Sequence, residues 1–150
     1  MNDLDQIDRN ILRILSKDGR ITNLELANQV GLSPSACLRR VQDLEARKVI
    51  TGYRATFDRH QTGGGFLAYI TVGLSNHSKE SQKQFEQAMA AAAQVRECHN
   101  ITGTVEYILR VEAADLDAYK YFHTEVLGTV PYVNAITSYI VMGSPKDERA

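Results

Sequence analysis

Cysteine is scarce: the 150 residues hold two, Cys37 and Cys98, at no zinc-ligand spacing and in no CxxC pair. A disulfide scaffold is thereby excluded, and a reduced compartment fits best. No apolar run approaches the roughly 18 residues of a membrane span, so no membrane partner is expected. The opening, MNDLDQIDRN, carries three acids among its first eight residues and no apolar segment. A secretory signal is therefore not expected, and the chain reads as cytoplasmic. Charge of one sign is not in excess either; the net charge of −1 argues against an unspecific polycation. Catalytic constellations are missing as well, since no Ser-His-Asp or Cys-His arrangement can be assembled, and the chain reads as a non-enzyme. Cys98 and His99 are adjacent, so in a strand they point to opposite faces and make a poor ligand set. No metal and no cofactor are expected.

What is present is a globular composition, 43% apolar and 23% charged, which rules out wholesale disorder. A chain of this length buries about 70% of its unfolded surface and needs no staple. Its charge is unevenly spread. Residues 1–60 carry a balance of +2 and residues 61–150 a balance of −3. A basic segment joined to an acidic remainder points one half toward a polyanion. Between them lies His60-Gln61-Thr62-Gly63-Gly64-Gly65, whose three glycines read as a tight linker. The expected domains are 1–60 and 66–150, with a hinge at about 61–65.

The first domain reads as three helices and a strand. Asp5 caps a helix carrying Ile7, Ile11, Leu12, Ile14 and Leu15 at helical spacing. Thr22-Asn23-Leu24-Glu25 is a capping box, followed by Leu24, Leu26, Ala27 and Val30 as the inward set and Gly31 as the stop. Ser33 caps a third helix with Pro34 at its first position. That helix runs through Ala46 with Leu38, Val41 and Leu44 inward. Ile50–Phe57 alternates enough for a strand. Two capped helices around a short glycine turn make a helix-turn-helix. Opposite the Leu38 stripe lie Ala36, Arg39 and Asp43, flanked by Ser35 and Arg40. Small residues followed by two arginines suit entry into a major groove of double-stranded DNA. Both arginines project from the stripe, so replacing either by alanine is expected to leave stability nearly unchanged.

The second domain alternates differently. Phe66–Leu74 is a strand, Lys79–Ala93 a helix, Val95–Thr102 and Glu106–Val111 two strands around Gly103, Asp115 the cap of a helix with Leu116, Tyr119 and Phe122, and Val133–Met142 a last strand. The order β-α-β-β-α-β is the ferredoxin-like plan, with helices on one side of an antiparallel sheet. The other side, with Leu67, Tyr69, Thr71 and much of the last strand, is apolar and needs covering. A homodimer through the sheets is the expected cover.

Helix-turn-helix, basic strand, hinge and βαββαβ unit in this order resemble the Lrp/AsnC family of transcriptional regulators. The likeness runs through LDQIDRNILRILSKDGRITNLELANQVGLSPSACLRRVQDLE, VITGYRA and ITGTVEYILRV. It implies an α+β fold, a winged helix-turn-helix followed by a ferredoxin-like domain that senses amino acids. It also implies assembly as homodimers and octamers on nucleoid DNA, in bacteria or archaea. By resemblance, Ser33, Ser35, Ala36, Arg39 and Arg40 fall on the recognition helix. Effector contacts fall on Gly103, Thr104, Val105, Glu106 and Tyr107 and on Thr137 and Ser138 of the last strand. The family's usual loop is Gly-Asp-Tyr-Asp-Tyr; here Thr104 removes a carboxylate and Glu106 lengthens the other. Val105 adds an apolar wall, so the expected effector is a small neutral amino acid such as leucine or methionine. Two other readings stay open: an effector-independent nucleoid-organising protein, and a small-molecule-binding ferredoxin-like protein.

Overall fold

The structure, a computed structural model, describes residues 4–148. It divides between Ala55 and Thr56 into two compact units, each with its own core.

In the first unit, local capping decides where helices begin. Asp5 accepts the Asp8 amide at 2.8 Å and the Asp8 carboxylate accepts the Asp5 amide at 3.3 Å, so α1 (Gln6–Leu15) opens on a reciprocal pair. Thr22 and Glu25 do the same for α2 (Asn23–Val30). Gly31 ends α2 at φ 72°, a left-handed turn that a side chain would strain. Ser33 caps α3 (Pro34–Ala46) by accepting from Ala36, with Pro34 at the first position. Ile11, Leu26, Ala27, Cys37 and Leu44 form the core.

Three expectations for this unit are corrected. Leu38 is 46% exposed and Leu24 59% exposed. The inward stripe of α3 is Cys37, Val41 and Leu44, and Leu38 sits about 100° away from its first member. Leu24 similarly lies roughly 110° from the Leu26–Ala27–Val30 stripe. Third, residues 51–58 are exposed and form no strand; all the strands among the described residues lie in the second unit's sheet. The Tyr53 hydroxyl instead donates to Glu45 at 2.8 Å.

The second unit contains β1 (Phe66–Leu74), α4 (Lys79–Ala91), β2 (Val95–Asn100), β3 (Tyr107–Ala113), α5 (Leu116–Tyr121) and β4 (Val133–Ile140). Its sheet runs β2-β3-β1-β4, antiparallel throughout, which is the expected ferredoxin-like order. Ala68, Ile70, Val72 and Leu74 on β1 pack with Leu109 and Val111 on β3, Phe85 and Met89 on α4, and Tyr119 and Phe122. The α5 segment departs from simple periodicity. After Tyr121 the chain widens into a π turn over Phe122–Val126 and tightens again over Leu127–Thr129; Tyr119, Phe122 and Leu127 are buried as expected, whereas Leu116, at the first position of α5, is exposed.

Residues 58–64 form a hydrogen-bonded turn: Asp58 accepts the His60 amide at 2.9 Å and Gly64 donates to the Arg59 carbonyl at 2.7 Å. The sheet face away from the helices is also less bare than its sequence implies. Leu67 is 3% exposed, and Arg110 on the same face is 7% exposed. The Arg110 guanidinium donates to Glu112 at 2.7 Å and pairs with Asp147 at 3.5 Å, while Arg59 lies 3.7 Å from Asp147. The segment after β4 is thus tied back onto the sheet, and Leu67 needs no second copy to bury it. Tyr139 and Thr137 remain exposed on that face.

Replacing Ile70, which is fully buried, by alanine is expected to cost about 2–5 kcal/mol in chemical unfolding. Gly31→Ala should cost about 1–2 kcal/mol through its left-handed backbone alone.

Candidate nucleic-acid interface and effector site

The two helices of the turn are pinned at their N-termini. The Asn23 side-chain amide donates to the Pro34 carbonyl at 2.8 Å, joining the first turn of α2 to the first turn of α3. With Cys37, Val41 and Leu44 inward, α3 turns Ser35, Leu38, Arg39, Gln42 and Asp43 to solvent. Ser33 is occupied as the cap and lies 3.3 Å from the Ser35 hydroxyl, and Ala36 is half-buried. No carboxylate among the described residues pairs with Arg39. Asp43 is engaged by Arg47 at 2.8 Å. Sequence reasoning missed Leu38 and Gln42. Moving the inward stripe by one residue, from Leu38 to Cys37, would have exposed both and set Gln42 one turn beyond Arg39.

Arg40 stands differently. Its guanidinium reaches Asp5 and, at 3.0 Å, Asp8 on the first turn of α1. Asp8 is buried, so one α3 cation neutralises the carboxylates that cap another helix. The Asp8 amide, and after it the Arg40 guanidinium, hold Asp5 below its ordinary value of 3.8, and the two carboxylates raise the Arg40 pKa above the usual arginine value. The expectation that Arg40 resembles Arg39 is corrected: it is tied to α1, and its loss strands a buried carboxylate.

The glycine-led turn between β2 and β3 is built on Gly103 at φ 144°, which a side chain rarely adopts. Thr104 is exposed. Val105 packs where Gly73 leaves room, with Ala135 and Asn134 alongside. Both Glu106 oxygens are used: one accepts the Leu74 amide at 2.6 Å and the other lies 3.0 Å from His77 Nδ1. Tyr107 is fully buried, its ring 4.5 Å from Phe85 and its hydroxyl donating to Glu86 at 2.7 Å. Burial, reinforced by Glu86, pushes the Tyr107 phenol up to about 12. On β4 the two named residues part company. Ser138 faces the helices and shares a hydrogen bond with the Tyr119 hydroxyl, whereas Thr137 sits on the opposite face across from Thr71. The structure therefore groups Gly103, Thr104, Val105 and Glu106 in one turn and sends Tyr107 and Ser138 into the core side.

A helix-turn-helix with an open second helix, followed by a ferredoxin-like unit with a glycine-led turn, defines a DNA-binding protein carrying a separate ligand-binding domain. Residues 4–51 match the winged helix-turn-helix DNA-binding family, and residues 67–150 match the Lrp/AsnC ligand binding domain. The leucine-responsive regulatory proteins of Klebsiella pneumoniae and Escherichia coli K12 are each 40% identical over 144 residues, 96% of this chain and 88% of theirs. A transcriptional regulator of Neisseria meningitidis, solved as a complex with L-Met, is 31% identical with a TM-score of 0.92, over 97% of this chain and 94% of that one. An AsnC family regulator from Agrobacterium tumefaciens is 30% identical with a TM-score of 0.91, over 96% and 94%. The chain belongs to the Lrp/AsnC family of transcriptional regulators.

The two neighbouring arginines should separate on mutation. Arg40→Ala is expected to lower the melting temperature by several degrees, and Arg39→Ala to leave it unchanged, in differential scanning calorimetry. The folded depression of Asp5 contributes stability that is present at neutral pH and lost as the pH falls through 3.8 toward the folded value. Acid unfolding of Arg40→Ala should accordingly begin at a higher pH than that of the wild type.

Proposed function

We propose that the chain is a sequence-specific regulator, not an enzyme, that binds double-stranded DNA as a homodimer and responds to a small neutral amino acid. The observation that carries this is the solvent face of α3, where Ser35, Arg39 and Gln42 line up free of the ion pairs that occupy Arg40 and Asp43. Arginine forks onto guanine and glutamine onto adenine in the major groove, while Ser35 permits close approach. Ser33 and Arg40 act one step back, fixing the start and the tilt of the helix. The dimer uses the sheet face that carries Tyr139 and Thr137 and sets two recognition helices on half-sites roughly 34 Å apart or multiples of it. Assembly of four such dimers into an octamer follows the family pattern. The setting is the bacterial cytoplasm and its nucleoid DNA, as the bacterial relatives support.

The effector seat is the Gly103–Glu106 turn with Thr137. Backbone amides near Gly103 receive a carboxylate, Thr104 and Glu106 receive an ammonium, and Val105 receives an apolar side chain. The L-Met held by the Neisseria regulator supports an effector of this class. A second reading, DNA organisation with little effector control, draws on Glu106, both of whose oxygens already have partners within the chain.

Anisotropy titration of duplex DNA, with and without L-methionine and L-leucine, decides between them. The expected result is an amino-acid-dependent shift in affinity or assembly; an unchanged curve at millimolar ligand selects the second reading. Arg39→Ala should lower the salt slope of DNA binding by about one unit for each phosphate that the arginine neutralises in the wild type. Unchanged binding by that variant would remove α3 from the interface.

A further inference from the structure

The loop joining β1 to α4 carries a histidine that the reading above does not use. His77 lies with Nδ1 3.0 Å from one oxygen of Glu106, whose other oxygen accepts the Leu74 amide at 2.6 Å. The Glu106 side chain is 17% exposed, whereas His77 is 70% exposed. A carboxylate set against the end of β1 thus has the imidazole of His77 on its solvent side. The loop that presents it is firmly built. Ser75 donates its amide to the Tyr132 carbonyl at 2.8 Å, Ser78 donates its amide to the Asn76 side chain at 2.8 Å, and the Ser78 hydroxyl caps α4 by accepting from Ser81. His77 therefore has little freedom to leave Glu106 by backbone movement. Glu106 is the charged group placed against it, and on its own segment Lys79 and Glu80 begin α4.

We infer that His77 is a positioning residue that competes with the effector's ammonium group for Glu106, so that effector affinity depends on the protonation of His77. This rests on the effector seat proposed above. Protonated His77 is a cation on the same oxygen that an ammonium needs, and the effector must displace it. Neutral His77 still donates one hydrogen bond but gives up the charge, and displacement becomes easier. A free amino acid keeps its own ammonium charged from pH 5.5 to 7.5, so the dependence across that range belongs to the protein. The sign is that affinity rises with pH. Exposed ion pairs of this kind are modest, and the expected gain is about two- to fivefold.

The test is isothermal titration of the full-length protein with L-methionine at pH 5.5, 6.5 and 7.5, for wild type, His77→Gln and His77→Ala. Glutamine keeps a donor at this position and removes the titration. The expected result is wild-type affinity that rises with pH and affinity that is flat for both variants, with His77→Ala tightest at pH 5.5. Binding by the wild type with no pH dependence, or with a dependence that persists in both variants, overturns the role of His77 and leaves the effector seat standing. Binding by His77→Ala alone supports the competition in its strongest form. Absence of binding by all three proteins at millimolar ligand overturns the effector seat and the role of His77 with it.

Discussion

The second helix of the helix-turn-helix is held by an ion pair spanning more than thirty residues of sequence, in which Arg40 on α3 meets Asp5 and Asp8 at the start of α1. Apolar packing through Cys37, Val41 and Leu44 fixes which side of α3 turns inward, but a smooth stripe of this kind tolerates sliding and rotation. The guanidinium adds direction. It also performs two tasks with one charge, since the carboxylates it meets are those that cap α1. Burying Asp8 without Arg40 would set an uncompensated charge in the core margin, so helix α1 and helix α3 stand or fall together. Arg39, one residue earlier, stays exposed on the solvent face of α3 while its neighbour is held by the acids of α1.

What could be read in the sequence was what is local. The caps at Asp5, Thr22, Ser33 and Asp115, the proline at the first position of α3 and the left-handed Gly31 all act within four residues of themselves, and each was legible. The βαββαβ order was legible for the same reason, since alternation in β1 and the spacing of Phe85 and Met89 mark their elements without reference to partners. Failures came where a partner elsewhere decides. Leu38 looked inward because one-residue rotations of a stripe leave the periodicity unchanged. The 50–57 segment has an alternating pattern, but no strand in its own unit pairs with it. Arg40 carried no local sign of the acids that hold it. Ser138 and Thr137 were grouped as neighbours in sequence although a strand sends neighbours to opposite faces.

In the ligand-binding unit the acids do scaffold work before they can do anything else. Glu106 closes the end of β1, Glu86 receives the buried phenol of Tyr107, and Glu112 holds Arg110. On the proposed reading, a ligand at the Gly103 turn competes for a carboxylate that already has two partners, and its affinity is a difference between two sets of interactions. The glycine at φ 144° fixes the shape of the turn before any ligand arrives.

The segment that follows β4 is fastened in a way that constrains its evolution. Its first anchor is the Val141 amide on the Leu67 carbonyl, at 2.9 Å, and its last is Asp147 between Arg59 and Arg110. Between those points Gly143, Ser144, Pro145 and Lys146 bring almost no apolar surface to the sheet. The segment is therefore read for length rather than composition. The attachment depends on the span between Val141 and Asp147 more than on the side chains in between.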